Sequence, residues 1–170
     1  MNNSILYISY EFPPCAGAGV QRATRHVDFL LKNGYKVTVL TSSHFDHNDN
    51  SIKLSSNQPN LKLLPVHDYL ERLLILLKSN FIRKLFSYIM FPDRRIIWAL
   101  SSCFILVHRF KNYGTILTSS HPYSSHFIGL FAKLLNPRIK WIVDYRDAWT
   151  NNPSLFYSKK KILFSFFNKY

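Results

Sequence analysis

The sequence predicts a doubly wound α/β fold built on a parallel sheet. Short apolar runs rich in β-formers alternate with longer segments whose apolar residues recur at helical spacing. This alternation is typical of parallel strands joined by crossover helices. The chain has 170 residues, of which 47% are hydrophobic and 18% charged. That length and composition suit one globular domain with its own core.

The first predicted unit is a strand, a helix and a second strand. Residues 5–8 form an apolar run, and residues 36–41 form another. Between them a helix is predicted after Gly17-Ala18-Gly19. Gly34 is predicted to end this helix as a left-handed C-terminal cap. One helical face carries Val20, Ala23, Val27, Leu30 and Leu31. The order indicates a right-handed βαβ unit.

The rest of the chain continues the same alternation after a polar loop at residues 42–60. The predicted elements are a strand at 61–66, an amphipathic helix at 69–91, a mostly buried helix at 96–109, a strand at 115–119, a helix at 124–135 and a strand at 140–144. The longest apolar stretch, at residues 96–107, is too short to span a bilayer, which takes about 20 residues. We therefore expect a cytoplasmic protein.

The positive charge is local rather than spread over the chain. The formal net charge is +13, and residues 71–111 alone hold eight basic and two acidic residues. No nucleic-acid-binding motif accompanies this charge, so we predict no nucleic-acid partner. Cys15 and Cys103 are far apart and outside any CxxC pair, which favours a reducing compartment. His44 and His47 lie in a polar loop without preorganised spacing, so we predict no metal site.

Three loops follow strand ends, where open parallel sheets bind ligands. In the first, at residues 13–19, the glycines and the start of the helix favour a phosphate, and a tight turn without a ligand is the alternative. A dinucleotide site is disfavoured for two reasons. Arg22 stands where the third small residue belongs, and no acidic residue ends the second strand.

The other two loops carry hydrogen-bonding and charged side chains. His121 follows the fourth strand and either contacts a polar ligand or caps the loop, whereas His126 is expected on the helix surface. Asp144, Arg146 and Asp147 follow the fifth strand. They either hold an acceptor hydroxyl, supply a base or neutralise a phosphate, or else form a structural ion pair.

Three stretches resemble the N-terminal domain of glycosyltransferase family 4. They are Tyr-Glu-Phe-Pro-Pro after the first strand, Asn-Gly-Tyr-Lys-Val-Thr-Val-Leu-Thr at the second, and Trp-Ile-Val-Asp-Tyr-Arg-Asp-Ala-Trp-Thr at the fifth. The resemblance spans residues 5–153. It implies a Rossmann-like N-terminal half of the two-domain GT-B fold. Enzymes of this family transfer sugars from nucleotide-sugars with retention of configuration.

The resemblance also implies roles for individual residues. The donor's phosphates are expected at Gly17, Ala18 and Gly19, and catalytic roles at Asp147, Arg146 and His121. Acceptor contacts are expected at Glu11, Ser120, Tyr123 and Asp144. One position departs from the family pattern, since Arg146 stands where many relatives carry histidine. The donor itself is a substrate, and no cofactor is expected.

We expect residues 1–153 to form this domain and residues 154–170 to be a basic amphipathic segment leading to a C-terminal GT-B domain, in cis or in trans. The expected function is therefore the acceptor-side half of a retaining glycosyltransferase that acts on a lipid-linked or surface polysaccharide acceptor. We expect it to be inactive without the second domain. The alternative is a split or degenerate half that binds an anionic membrane or a partner subunit without catalysis.

Basic residues of the predicted helix at 69–91 and the turn after it suggest peripheral docking on the inner face of the cytoplasmic membrane. The expected membrane-facing set is Arg72, Lys78, Arg83, Lys84, Arg94 and Arg95. An ordinary helix with a solvated basic face is the alternative.

Overall fold

A computed structural model describes residues 3–15, 17–43, 59–76, 81, 85–86, 90 and 92–146. Its centre is a five-stranded sheet in which every described pairing is parallel. The strands are β1 (Ser4–Ile8), β2 (Lys36–Ser42), β3 (Leu61–Val66), β4 (Thr115–Ser119) and β5 (Lys140–Asp144). The doubly wound α/β class predicted from the sequence is confirmed.

Four described helices connect and cover the strands. They are α1 (Ala18–Lys32), α2 (Tyr69–Leu76), α3 (Ile96–Leu106) and α4 (Ser125–Leu135), and a short 3-10 turn at Phe110–Asn112 precedes β4. The predicted helix at 69–91 is described as α2 through Leu76, and most of its second half lies outside the described residues. Helix α3 ends earlier than predicted, because Arg109 donates its backbone N–H to Leu106 and tightens the chain into the following turn.

The strand order is β3-β2-β1-β4-β5, so β1 lies at the centre of the sheet. The chain first winds outward from β1 through β2 to β3, then returns to the other side of β1 for β4 and β5. This reversal separates the connections that leave the carboxyl ends of β1 and β4. In open α/β sheets such a switch point opens the crevice in which ligands bind.

Helices pack on both faces of the sheet, and the side chains of β1 contribute to the core on each face. Tyr7 belongs to the core on the α1 side, with Val27 of that helix. Leu6 and Ile8 point to the opposite face, where Trp98 of α3 is buried. Because successive residues of a strand alternate between faces, the continuous apolar run of β1 supplies both cores.

The connection from α1 to β2 follows the predicted cap. Gly34 has φ 79°, in the left-handed region that favours glycine, and its N–H donates to the Leu31 carbonyl at 3.0 Å. Gly17 at the other end of α1 has φ 138°, also in the region that disfavours side chains. Both ends of α1 are therefore set by glycine.

Among the described helices, none has the length and apolar composition that crossing a bilayer requires.

Candidate functional site

The loops that follow β1, β4 and β5 meet at the carboxyl edge of the sheet, as the sequence predicted. The strand pairings place the ends of β1, β4 and β5 side by side. Strand β1 lies between β2 and β4, and Ser119 at the end of β4 is in register with Asp144 at the end of β5. Side chains from α1 reach the same edge. We call this region the carboxyl-edge site.

Asp144 is the most heavily engaged carboxylate of the carboxyl-edge site. Arg22 of α1 donates to it through two nitrogens, with Nε 3.1 Å from Oδ2 and Nη2 bonded to Oδ1. The Ser119 hydroxyl donates to Oδ2 at 3.0 Å. The Asp144 side chain is only 14% exposed, so this bidentate pair compensates for its burial. The expected acceptor-binding role of Asp144 is untested, and its described partners belong to the fold.

Arg22 was not predicted as a site residue. The sequence pattern indicates only that Arg22 replaces the third small residue of a dinucleotide-binding motif. Its position one turn into α1 places the guanidinium over the end of β5. The residue that argues against a dinucleotide site is therefore the one that links α1 to β5.

The glycine loop, Glu11 and Arg146 converge at the start of α1. A methyl group built on Gly19 would lie 2.5 Å from Nη1 of Arg146 and 3.8 Å from a carboxylate oxygen of Glu11. Arg146 thus lies directly against the first turn of α1, where only a glycine leaves full room for it. Gly17 and Ala18 of the same loop are exposed.

The start of α1 offers backbone N–H donors, and the Glu11 carboxylate lies near them. Gly17 gives the helix no side-chain cap, and the first turn contains no acidic residue. The first N–H groups of a helix have no partner within it, and the helix dipole adds partial positive charge there. With the Arg146 guanidinium alongside, this part of the site has the chemistry of an anion-binding site.

Ser120 joins the loop after β4 to the loop after β5. Its backbone N–H donates to the Asp144 carbonyl at 3.1 Å, and its hydroxyl accepts the N–H of Arg146 at 3.0 Å. Ser120 is 2% exposed. Ser120 therefore fixes the backbone position of Arg146.

His121 and Tyr123 lie in the same loop but differ in exposure. The ring of His121 is exposed and meets the Tyr123 ring edge-on, with centroids 4.7 Å apart. Tyr123 is 7% exposed. Of these two predicted site residues, His121 is exposed and Tyr123 is a buried residue in contact with its ring.

His126 is buried, so the expectation of a helix-surface residue was wrong. Its Nδ1 lies 2.8 Å from the hydroxyl of Thr118, which also accepts the indole N–H of Trp141 at 3.0 Å. The Thr118 hydroxyl therefore lies between the His126 ring and the Trp141 indole and joins them in one buried polar contact. Burial lowers the pKa of His126 to about 4, against the opposing charges of Asp144 and Asp93.

Tyr7 and His26 form a second polar contact beneath the site. The Tyr7 hydroxyl lies 3.0 Å from Nδ1 of His26, and burial raises the pKa of Tyr7 above its ordinary value. The phenol therefore stays protonated while it contacts His26. Nδ1 of His26 is 4.0 Å from Asp144, which continues the network along α1.

Asp147, the expected catalytic carboxylate, lies outside the described residues, as do His44 and His47. Among the residues that the structure describes, no group of three His, Cys, Asp or Glu side chains is arranged to hold a metal ion.

The expected membrane-facing residues separate into two described groups. Arg72 is exposed on α2. Arg95 instead points into the protein: its Nη1 lies 2.6 Å from Glu71 and 3.2 Å from Asp68, and its guanidinium stacks on the Tyr10 ring at 4.5 Å. Arg95 is corrected to a structural residue, because Asp68 is buried and needs a counter-charge.

Arg94 lies close to the same cluster, with Nη1 3.9 Å from Glu71. Lys78, Arg83 and Lys84 lie outside the described residues. Arg72 therefore remains the described member of the set whose charge is directed outward.

A scan of the chain against protein-family models finds no matching family, and a search of the curated proteins finds no match.

Proposed function

We propose that this chain is the acceptor-side half of a retaining glycosyltransferase of family 4. The reaction transfers a sugar from a nucleotide-sugar to a lipid-linked or surface polysaccharide acceptor. The observation that carries the proposal is the contact between Nη1 of Arg146 and the Gly19 position at the start of α1. A guanidinium beside free helix N–H groups suits a diphosphate that gains negative charge as the sugar leaves.

The transfer itself moves two bonds and one proton. The bond between the anomeric carbon and the diphosphate oxygen breaks, and a bond from that carbon to the acceptor oxygen forms on the same face. The acceptor's hydroxyl proton passes to an oxygen of the leaving diphosphate. Arg146 stabilises the charge on the diphosphate, and Asp147 orients the acceptor hydroxyl.

Several contacts in the site favour this assignment of roles. Ser120 fixes the backbone of Arg146, and the pair of Arg22 with Asp144 holds α1 against the end of β5. His121 is exposed in the loop after β4 and is suited to a hydrogen bond with a sugar or acceptor hydroxyl. The remaining contacts to the nucleotide come from a C-terminal GT-B domain in cis or in trans.

The decisive experiment is a transfer assay on the native gene product isolated from its own cells. Labelled nucleotide-sugars are supplied with a lipid extract of those cells, and transfer to lipid or polymer is measured. We expect Arg146→Ala and Asp147→Asn each to lower the rate at least about tenfold. Arg138→Ala, a matched change of an exposed arginine after α4, leaves the rate unchanged.

Two results would contradict the proposal. One is the absence of transfer from every nucleotide-sugar tested, and the other is a rate that neither Arg146→Ala nor Asp147→Asn alters. Residues 1–170 alone are expected to give no turnover, and robust transfer by them would refute the half-enzyme part of the proposal.

A non-catalytic half that binds an anionic membrane surface or a partner subunit is the second candidate. The observation that favours it is the apolar exposure of α3 and α4, where Leu100, Phe104 and Leu134 are 61%, 84% and 72% exposed. Such exposed apolar side chains often mark an interaction surface. Salt-sensitive sedimentation with anionic vesicles, lost in Phe104→Ser and accompanied by no response to nucleotide-sugars, would favour this candidate.

A further inference from the structure

A cavity of about 380 Å³ lies at the amino edge of the sheet, opposite the carboxyl-edge site. It is formed by the first residues of β1, β2 and β3 together with the end of the 3-10 turn before β4. Because β2 has seven residues, about 20 Å of strand separates the cavity from the carboxyl edge. Its volume falls within the range of small-molecule sites.

Two lysines of the cavity lining lie on one face of the sheet. Lys62 of β3 is in register with Thr38 of β2, and Lys36 precedes Thr38 by two residues. Side chains two apart on a strand share a face, so Lys36 and Lys62 project from the same side with Cα atoms about 8 Å apart. Both are exposed, and neither forms an ion pair within the described part of the chain.

The rest of the described lining supplies neutral polar groups and one aromatic ring. Asn60 and Asn112 contribute amides, and Tyr113 contributes a half-buried ring. No acidic residue occurs in the described lining. The cavity therefore combines two ammonium groups, unpaired within the described part of the chain, with a surface on which a sugar or base ring can rest.

We propose that this amino-edge cavity binds a small phosphorylated ligand, with its phosphate between Lys36 and Lys62 and its ring against Tyr113. A phosphate monoester carries nearly two negative charges at neutral pH, which matches two ammonium groups that have no ion-pair partner among the described residues. The ligand is distinct from the diphosphate proposed for the carboxyl-edge site, because the two locations lie at opposite ends of the strands.

The test is amide NMR mapping of residues 1–170 with adenosine 5′-monophosphate and inorganic phosphate at constant ionic strength. Adenosine is the uncharged control. We expect both phosphates to shift the amides of residues 36–38 and 60–62 saturably, and adenosine to leave them unchanged. The double variant K36Q, K62Q weakens binding at least about tenfold, because each lysine supplies a charge-assisted contact.

Lys140→Gln is the matched control, since Lys140 begins β5, three strands away from β2 at the same edge. The affinity of the Lys140→Gln variant for phosphate should equal that of the unaltered chain. Two results would overturn the proposal: no saturable shift at residues 36–38 and 60–62 with either phosphate, or equal weakening by K36Q, K62Q and by Lys140→Gln. A dispersed amide spectrum shows that each variant is folded.

Discussion

Arg22 and Asp144 form a bidentate ion pair between α1 and the end of β5. They are 122 residues apart in the sequence, and α1 packs on β1 and β2 whereas β5 is the edge strand beyond β4. The pair therefore ties the first crossover helix to the last described strand across the switch point of the sheet. Its position beside the Gly19–Arg146 contact makes it a support of the proposed diphosphate site.

A double-mutant cycle on this pair should reveal coupling. Asp144→Asn should lower the free energy of unfolding by about 1–2 kcal/mol, because Asp144 is largely buried and also accepts from Ser119. Arg22→Gln should cost less, since the arginine side chain is 44% exposed. We expect a coupling energy of about 1 kcal/mol in urea unfolding. Strictly additive costs would show that the two side chains do not support each other.

The same glycine-to-alanine change should have opposite consequences at two helical positions. A methyl group on Gly129 of α4 would lie 2.2 Å from the Trp141 indole nitrogen, so Gly129→Ala should cost about 2–3 kcal/mol of unfolding free energy. At Gly19 the nearest atom is the end of the flexible Arg146 side chain. Gly19→Ala should therefore change stability by less than about 1 kcal/mol, because helix propensity offsets the displacement.

Denaturant titration of both variants measures this contrast. Equal destabilisation at the two positions would contradict the described contact of Trp141 with α4. Gly19→Ala should nevertheless weaken binding of nucleotide-sugars, since it displaces the guanidinium proposed to hold the diphosphate.

Acid should weaken the fold through His126. Its pKa falls from 6.5 in the unfolded chain to about 4 in the folded protein, so the unfolded chain binds the proton first as pH falls. The stability associated with the neutral ring is complete above about pH 6.5 and declines to a plateau below about pH 4. The loss is about 3 kcal/mol over this window.

The measurement compares urea unfolding of the unaltered chain and His126→Gln between pH 7 and pH 4. Asp93, Asp144 and His121 act on His126 electrostatically, and all three are retained in the variant. We expect the stability of the variant to fall less steeply over this range. Parallel pH profiles would show that His126 titrates normally in the folded protein.

Arg95 and Arg72 should respond differently to loss of charge. Arg95→Met leaves the buried Asp68 and Glu71 without their guanidinium, so it should cost about 2–4 kcal/mol of unfolding free energy. Arg72→Met, on the exposed side of α2, should change stability by less than about 0.5 kcal/mol. Thermal and urea unfolding measure both, and equal effects would contradict the structural role of Arg95.

Much of the fold could be predicted because the strands are short, apolar and clearly bounded. The bounds of β4 and β5 agree with the sequence prediction, since polar or turn-forming residues flank both runs. The convergence of the glycine loop with Arg146 followed from topology, because the carboxyl ends of parallel strands share one edge. The topology did not predict which side chains contact one another at that edge.

The errors came from contacts that hydropathy does not encode. His126 was assigned to the surface because it is polar, although it lies one helical turn before Gly129, whose missing side chain makes room for Trp141. Arg95 was predicted to face the membrane because it is charged. It instead donates a hydrogen bond to the buried Asp68, 27 residues earlier in the chain. Both residues depend on partners from other elements, which periodicity within one element cannot identify.

The proposed function requires the carboxyl-edge site to hold the diphosphate of a nucleotide-sugar. The most direct measurement is amide NMR mapping of residues 1–170 titrated with uridine, guanosine and adenosine diphosphate sugars. We expect at least one of them to shift the amides of Gly17, Gly19, Ser120 and Arg146 saturably. We also expect Arg146→Ala to abolish this response and Arg138→Ala to preserve it. Shifts confined to the amino edge, or no saturable shift with any donor, would contradict the claim.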